Sequence, residues 1–215
     1  MGKLFAGPWS DVRGIVGNNV GRYVNGENIF SVKPHKSSKP SSERQVNHRT
    51  GFGLMMGQVG LFSGAIAIGF KNNNARLAPG NAALRYNLEK ALAGTAPDYT
   101  INYAEFSISR GKLAPVANAA VIGATADAGA LDFTWVLNTG YGESDPKDTV
   151  KVYIHTPEID HLITNPTVVL RSALKLKMVV PFDFIGKPLH CYMMIVSADG
   201  KKVSNSQYCG SVTLT

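Results

Sequence analysis

A chain of 215 residues that is 44% apolar has room for one large domain or two small ones around a real core. That composition excludes a disordered or low-complexity protein. The net charge of +7 is uneven: residues 1–50 carry eight Lys/Arg against three Asp/Glu (+5), and the remainder fourteen against twelve (+2), so a polyanion or acidic partner is expected to meet the N-terminal quarter, the alternative being a solvated basic surface.

Residues Met1 to Pro8 lack the apolar run of an export signal. The expected location is therefore a virion or the bacterial cytoplasm. Cys191 and Cys209 are then most simply reduced thiols, with a disulfide across adjacent strands as the alternative.

Residues 1–32 alternate glycine with β-branched and aromatic residues. Asn25-Gly26 is a two-residue hairpin signal, with strands expected at Arg22–Val24 and Asn28–Val32. Gly14-Ile15-Val16-Gly17 is not followed by Lys-Ser or Lys-Thr, so it lacks the residues of a phosphate-binding loop. A basic loop follows, from Lys33 to Pro40, and then a helix start in which Ser42 and Gln45 form a capping-box pattern. Lys33, Lys36, Lys39, Arg44 and Arg49 are the candidate contacts to nucleic acid or to an acidic partner. Only His35 and Phe52 are near enough to stack on bases, so sequence-specific readout is not expected.

From Phe52 to Phe70 the chain is almost wholly apolar, with only Gln58 and Ser63 as ordinary polar residues. Its 19 residues could just span a bilayer, but Gln58 stands near the middle and no Trp or Tyr anchors either end. Five glycines make it a weak helix on its own. It is expected to be one long helix or two shorter ones, packed on more than one side, with Gly53, Gly57, Gly60 and Gly64 as small-residue contacts between copies; membrane insertion is the alternative. A polar break, Lys71–Gly80, precedes another helix at about Asn81–Ala93, stopped by Gly94.

Beyond Thr100 the period becomes two. Strands are expected at Thr100–Ser109, Ala117–Thr125, Leu131–Leu137, Thr149–His155, Thr167–Arg171, Lys175–Val180, Leu189–Ser197 and Ser206–Leu214. Leu131, Phe133, Trp135 and Leu137 face one way, as do Val150, Val152 and Ile154. This spacing predicts a β-sandwich. The connector Arg110–Pro115 suggests a boundary. The expected architecture is an α+β unit over 1–108, with a hairpin and two helices, followed by an all-β immunoglobulin- or fibronectin III-like sandwich over 109–215.

None of the five histidines has metal-site spacing. His190 and Cys191 are adjacent, so on a strand they point to opposite faces. Glu143, Asp145 and Asp148 form a loop cluster that is either a weak cation site or simply solvated. Nothing proposes a nucleophile, a base or a cofactor, so no catalysis, cofactor, metal or small-molecule substrate is expected.

Several stretches taken in order resemble one family. They are Gly14, Gly17 and Gly21-Arg22-Tyr23; Pro34, Lys39–Gln45 and Arg49; Gly69-Phe70-Lys71, Asn81-Ala82-Ala83 and Tyr86-Asn87-Leu88. Ser109-Arg110-Gly111, Phe133-Thr134-Trp135 and Ser204–Gly210 follow. The chain is similar over nearly its whole length to a family of roughly 200-residue proteins of Bacteroidetes-type bacteria, filed as a domain of unknown function. That resemblance implies no activity. Members usually carry more charge in the long helix than Phe52–Phe70 does here, which argues for a packed helix over a membrane span. The second half also looks like a fibronectin type III sandwich. Together these features lead to the expectation of a non-enzymatic, self-assembling structural protein, a virion or phage-derived particle component that forms homo-oligomers. The alternatives are a cytoplasmic, sequence-nonspecific nucleic-acid-binding protein and a surface adhesion module.

Overall fold

A computed structural model describes residues 2–4, 6–7, 9–35, 38–72, 77–124, 129–138 and 144–214. The chain forms two compact units, residues 1–42 and residues 43–215. The connector Arg110–Pro115 lies within the second of them.

The first unit is a four-stranded antiparallel sheet of β1 (Gly2–Leu4), β2 (Gly14–Val16), β3 (Asn19–Val24) and β4 (Glu27–Val32), in the order β1-β4-β3-β2. Asn25 and Gly26 turn between β3 and β4 with φ of 52° and 84°, the left-handed pair that a tight hairpin needs. The expected hairpin is thus present, extended by a strand on each side. Gly21 sits under the Val12 carbonyl, so close that a Cβ would lie 2.0 Å from that oxygen.

The second unit begins with α1 (Glu43–Leu61), α2 (Ser63–Gly69) and α3 (Pro79–Lys90). The apolar stretch is two helices, turning by 82° at Phe62, whose ring is fully buried. Among the described residues no single helix is long and apolar enough to cross a membrane; the bent pair α1–α2 is, by length and composition only. Pro79 opens α3 at its first turn, where a missing N–H costs nothing.

A two-stranded hairpin follows, β5 (Leu92–Thr95) with β6 (Asp98–Ile101). The strand expected at Thr100–Ser109 stops at Ile101. Asn102 draws the chain into turns instead: its side-chain oxygen accepts from the Ala104 N–H and its carbonyl accepts from the Phe106 N–H. The remaining strands are β7 (Ala117–Gly123), β8 (Ala130–Val136), β9 (Thr149–Thr156), β10 (Ile159–Thr164), β11 (Val169–Leu170), β12 (Lys175–Val179), β13 (Pro188–Val196) and β14 (Gln207–Thr213). They form a sheet in the order β10-β9-β13-β14, with β11 also paired to β9, and a separate sheet in the order β12-β8-β7. The protein is a mixed α+β fold, helical early in the second unit and strand-rich after it.

The strands β9 and β13 are buried almost continuously. Val150, Val152, Ile154, Leu189, Cys191, Met193 and Ile195 share one core with Leu131, Phe133 and Trp135 of β8. The alternate residues Tyr153, Tyr192, Met194 and Val196 share a second core with Met55, Val59, Phe62 and Ile66 of the helices. One sheet thus supplies side chains to both cores, and the three inward residues of β8 are those the alternation predicts.

Inside this framework sits a fully buried ion pair. Arg171 Nη1 lies 3.5 Å from Asp148 Oδ2, and the guanidinium donates to the carbonyls of Ala114 and Pro115 at 2.9 Å each. The Asp148 carboxylate also accepts from the N–H groups of Asp145 and Ala198. The acidic loop expected as a possible cation site therefore spends Asp148 on an internal arginine, and Glu143 lies outside the described residues. Cys191 and Cys209 are both free thiols, and burial pushes both up, Cys209 to about 12.

Asp148→Ala leaves Arg171 as an uncompensated buried charge and should cost about 3–5 kcal/mol in urea unfolding. The glycines divide just as clearly. A Cβ on Gly69 would lie 2.2 Å from the Ile108 carbonyl oxygen, whereas one on Gly57 would meet nothing within 4 Å. Gly69→Ala should destabilise by at least about 2 kcal/mol, and Gly57→Ala should stabilise by about 0.5–1 kcal/mol through helix propensity, by the same measurement.

Candidate functional site

Three segments of the second unit converge on one cavity. The end of α2 contributes Ala67, Ile68, Lys71 and Asn72, the connector contributes Arg110, Gly111 and Lys112, and the turn after β13 contributes Gly200 to Val203. The cavity measures about 830 Å³. Five of its lining residues are cationic, and among the described residues none that lines it is acidic. The Asp199 carboxylate lies 3.8 Å from the Lys201 ammonium, with both groups in solvent.

The walls are held by hydrogen bonds that leave little freedom. The Arg110 N–H donates to the Gly69 carbonyl at 3.0 Å, the Leu113 N–H to the Val203 carbonyl at 3.0 Å, and the Ser109 hydroxyl to the Ser204 carbonyl at 2.8 Å. Asn72 Nδ2 donates to the Lys201 carbonyl at 2.7 Å. A Cβ on Gly111 would stand 2.0 Å from the Val203 carbonyl oxygen, so only glycine permits this approach. The Arg110 guanidinium lies over the Tyr86 ring at 4.5 Å and donates to its hydroxyl at 3.1 Å. These two contacts fix the plane of the guanidinium.

Behind the wall is a satisfied polar network. Buried Asn87 of α3 donates to the Ser107 carbonyl and accepts the Ser107 N–H, at 2.9 and 2.8 Å. The Ser206 hydroxyl sits 3.1 Å from the Ser107 hydroxyl and accepts the Ile108 N–H. The stretches around Gly69, Asn87, Ser109 and Ser204, which carry the family resemblance, meet here. Sequence reasoning missed this site because its cations come from positions near 71, 110 and 201; only the short runs Arg110-Gly111-Lys112 and Lys201-Lys202 hint at it locally.

A second cavity, about 530 Å³, lies beside α1 and is lined by Leu54, Gly57, Gln58, Tyr103, His155 and Asp160 among others. His155 is 3% exposed, and neither ring nitrogen has a hydrogen-bond partner; the Gln58 amide nitrogen is likewise buried and unpaired. Phe62 and Tyr103 pack against the imidazole at 5.6 and 5.7 Å. His190 stands opposite His155 on β13, stacks on Tyr103 at 4.1 Å and shares a 2.8 Å hydrogen bond with the Tyr208 hydroxyl. Cys191 enters the other core, so the adjacent His190 and Cys191 do face apart. Burial, reinforced by His190, lowers His155 to about 4. Two histidines 35 positions apart (190 − 155) give no spacing signal; only strand pairing joins them. Among the described residues no group of three or more His, Cys, Asp or Glu could hold a metal ion.

The residues singled out from sequence are scattered. Lys33 and Lys39 are exposed in the first unit, Arg44 and Arg49 are exposed on α1 in the second, and Lys36 lies outside the described residues. Gly53, Gly57, Gly60 and Gly64 are exposed, and a Cβ added at any of them would meet nothing within 4 Å. The helix glycines that the fold itself requires are Gly51, against Leu92 and Tyr99, and Gly69, against Ile108 and Ser109.

A buried histidine lowered from 6.5 to about 4 binds fewer protons folded than unfolded. Stability is therefore intact above pH 6.5 and is lost as pH falls toward 4. Its share is roughly 3 kcal/mol, at about 1.4 kcal/mol per pKa unit. His155→Phe should remove that share of the slope when urea unfolding is compared at pH 7 and at pH 4.5.

A search of curated proteins finds no match to the chain. The model of a family of unknown function, DUF6266, matches residues 11–210, which is nearly the whole sequence. By that match the chain belongs to the DUF6266 family.

Proposed function

We propose that the protein is a non-enzymatic structural protein that assembles with copies of itself, as a virion or phage-derived particle component whose basic segment meets nucleic acid or an acidic subunit. The observation that carries this reading is the first unit's want of a core. Among its described residues only Gly21 is buried. By strand register Ile15, Val20, Val24 and Ile29 share one face, and Val16, Tyr23, Phe30 and Val32 the other. Ile15 is 65% exposed, and Val16, Tyr23, Val24 and Val32 are exposed as well. A four-stranded sheet normally needs one face covered to be stable. Two faces bearing open apolar residues, and two unpaired edges at β1 and β2, fit a second copy of the same sheet, since antiparallel edges and faces are self-complementary under a two-fold axis.

The outer face of α1 supports the same reading. Phe52 and Met56 are 41% and 49% exposed, with Leu54 and three of the exposed glycines, Gly53, Gly57 and Gly60, on the same helix. In this reading the second unit's two sheets form a fibronectin III-like sandwich that acts as the packing module, an architecture favoured by the placement of Trp135 in the core they share.

Light scattering behind a sizing column should report an oligomer at about 100 μM that dissociates on dilution. The double variant Ile15→Lys/Val24→Glu should run as a monomer with unchanged far-UV circular dichroism. A wild-type chain that stays monomeric at that concentration, with no particles in electron micrographs, overturns the proposal.

A further inference from the structure

We infer that the basic cavity at the end of α2 binds a phosphorylated small molecule, held by Lys71, Arg110, Lys112 and Lys201. This inference stands apart from self-assembly, because every residue it uses lies in the second unit and none belongs to the sheet or to the outer face of α1.

The charge pattern is the first support. Cations from three separate segments line one cavity, and among the described residues no carboxylate lines the cavity itself. Lys202 also lines the neighbouring cleft with Asp145, Asp148 and Asp199, so the charge particular to this cavity comes from Lys71, Arg110, Lys112 and Lys201. Like charges gathered within roughly a Debye length of one another, about 8 Å, repel, and an anion between them relieves that repulsion. A group carrying two or more negative charges gains most from four cations, which favours a phosphomonoester or diphosphate over a single carboxylate.

The build of the cavity is the second support. Arg110 is oriented by the Tyr86 ring and hydroxyl, and its segment is pinned to Gly69 and Val203. A guanidinium fixed in this way offers its remaining N–H donors as a planar fork suited to phosphate oxygens. The volume of about 830 Å³ falls within the range of small-molecule sites.

The body of the ligand follows from the rest of the lining. Ala67, Ile68 and Val203 form an apolar wall, and among the described residues no aromatic one lines the cavity. The Tyr86 ring is covered by Arg110. Nucleobases bound in strands rely on aromatic platforms, which are lacking here, so an aliphatic or sugar-like body suits this cavity better than a nucleic-acid strand.

The test uses the full chain, with pyrophosphate and fructose bisphosphate as probes in calorimetry at low salt. A thymidine oligonucleotide and phosphatidic acid vesicles serve as comparison arms. Binding of either soluble phosphate, weakened at least about tenfold in Lys112→Gln/Lys201→Gln but unchanged in Lys33→Gln/Lys39→Gln, supports the assignment. The second variant loses the same net charge elsewhere, so it separates the cavity from a general charge effect. All four lysines are exposed, and matched circular dichroism and melting curves confirm that both variants fold. Absence of binding at about 1 mM phosphate, equal weakening in both variants, or binding confined to vesicles overturns the assignment. Oligonucleotide binding tighter than that of pyrophosphate and weakened by Lys112→Gln/Lys201→Gln also overturns it.

Discussion

Everything in the second unit depends on the pairing of β9 with β13. Their ladder runs from Thr149 opposite Val196 to His155 opposite His190. A strand pair in the middle of a fold exposes two faces, and both must be covered if both are apolar. Here one face is covered by β8 and its neighbours and the other by the helices, which is why the residues of β13 from Cys191 to Val196 are all buried. The helices are not a separate layer that happens to lie nearby. Phe62, at the bend between α1 and α2, is packed edge-on to Tyr192 of β13 at 5.6 Å, and its burial ties the apolar stretch to the sheet.

Covering both faces of a sheet forces polar groups into dry places, and the protein resolves most of them. Arg171 is neutralised by Asp148 and donates to two carbonyls. Asn87, Ser107 and Ser206 satisfy one another and the backbone around Ile108. Such networks add less to net stability than they cost when broken, so they specify where segments meet. The one behind the basic cavity locks α3, the connector after Phe106 and the start of β14 together. His155 and Gln58 depart from this rule, with buried nitrogens that find no partner.

The first unit is built on the opposite plan. It has strands, register and a well-formed turn but, among its described residues, no buried apolar side chain, whereas the second has two cores. This contrast separates the two functional proposals physically. Apolar surface without an interior favours association with more of the same surface. Charge gathered around a concave, well-braced cavity favours a small anion. The cavity also changes where the chain's basic character matters: the N-terminal excess is dispersed along an arm, but the cations of the second unit, modest in number, are concentrated by folding.

Local patterns revealed much of the secondary structure. Asn25-Gly26 announced its hairpin, the alternation from Leu131 to Trp135 named the inward side chains, and the glycines and apolar residues of 52–70 announced helices that must pack. The strand β10, which follows β9 after a two-residue turn, was not legible, because Ile159–Thr164 carries only a weak alternation. Nor was the stop at Ile101, where Asn102 turns the chain by hydrogen bonds rather than by any break in period.

What the sequence determined by itself was the set of local conformations, since turn residues, glycines and periodicity act over a few neighbours. Tertiary structure decided which distant residues share an environment. Only folding puts Lys71, Arg110 and Lys201 on one cavity, sets His155 opposite His190 and gives Arg171 its counterion. Those neighbours are chosen by strand pairing and by the burial of two apolar faces, long-range constraints that leave no mark on the spacing of residues along the chain.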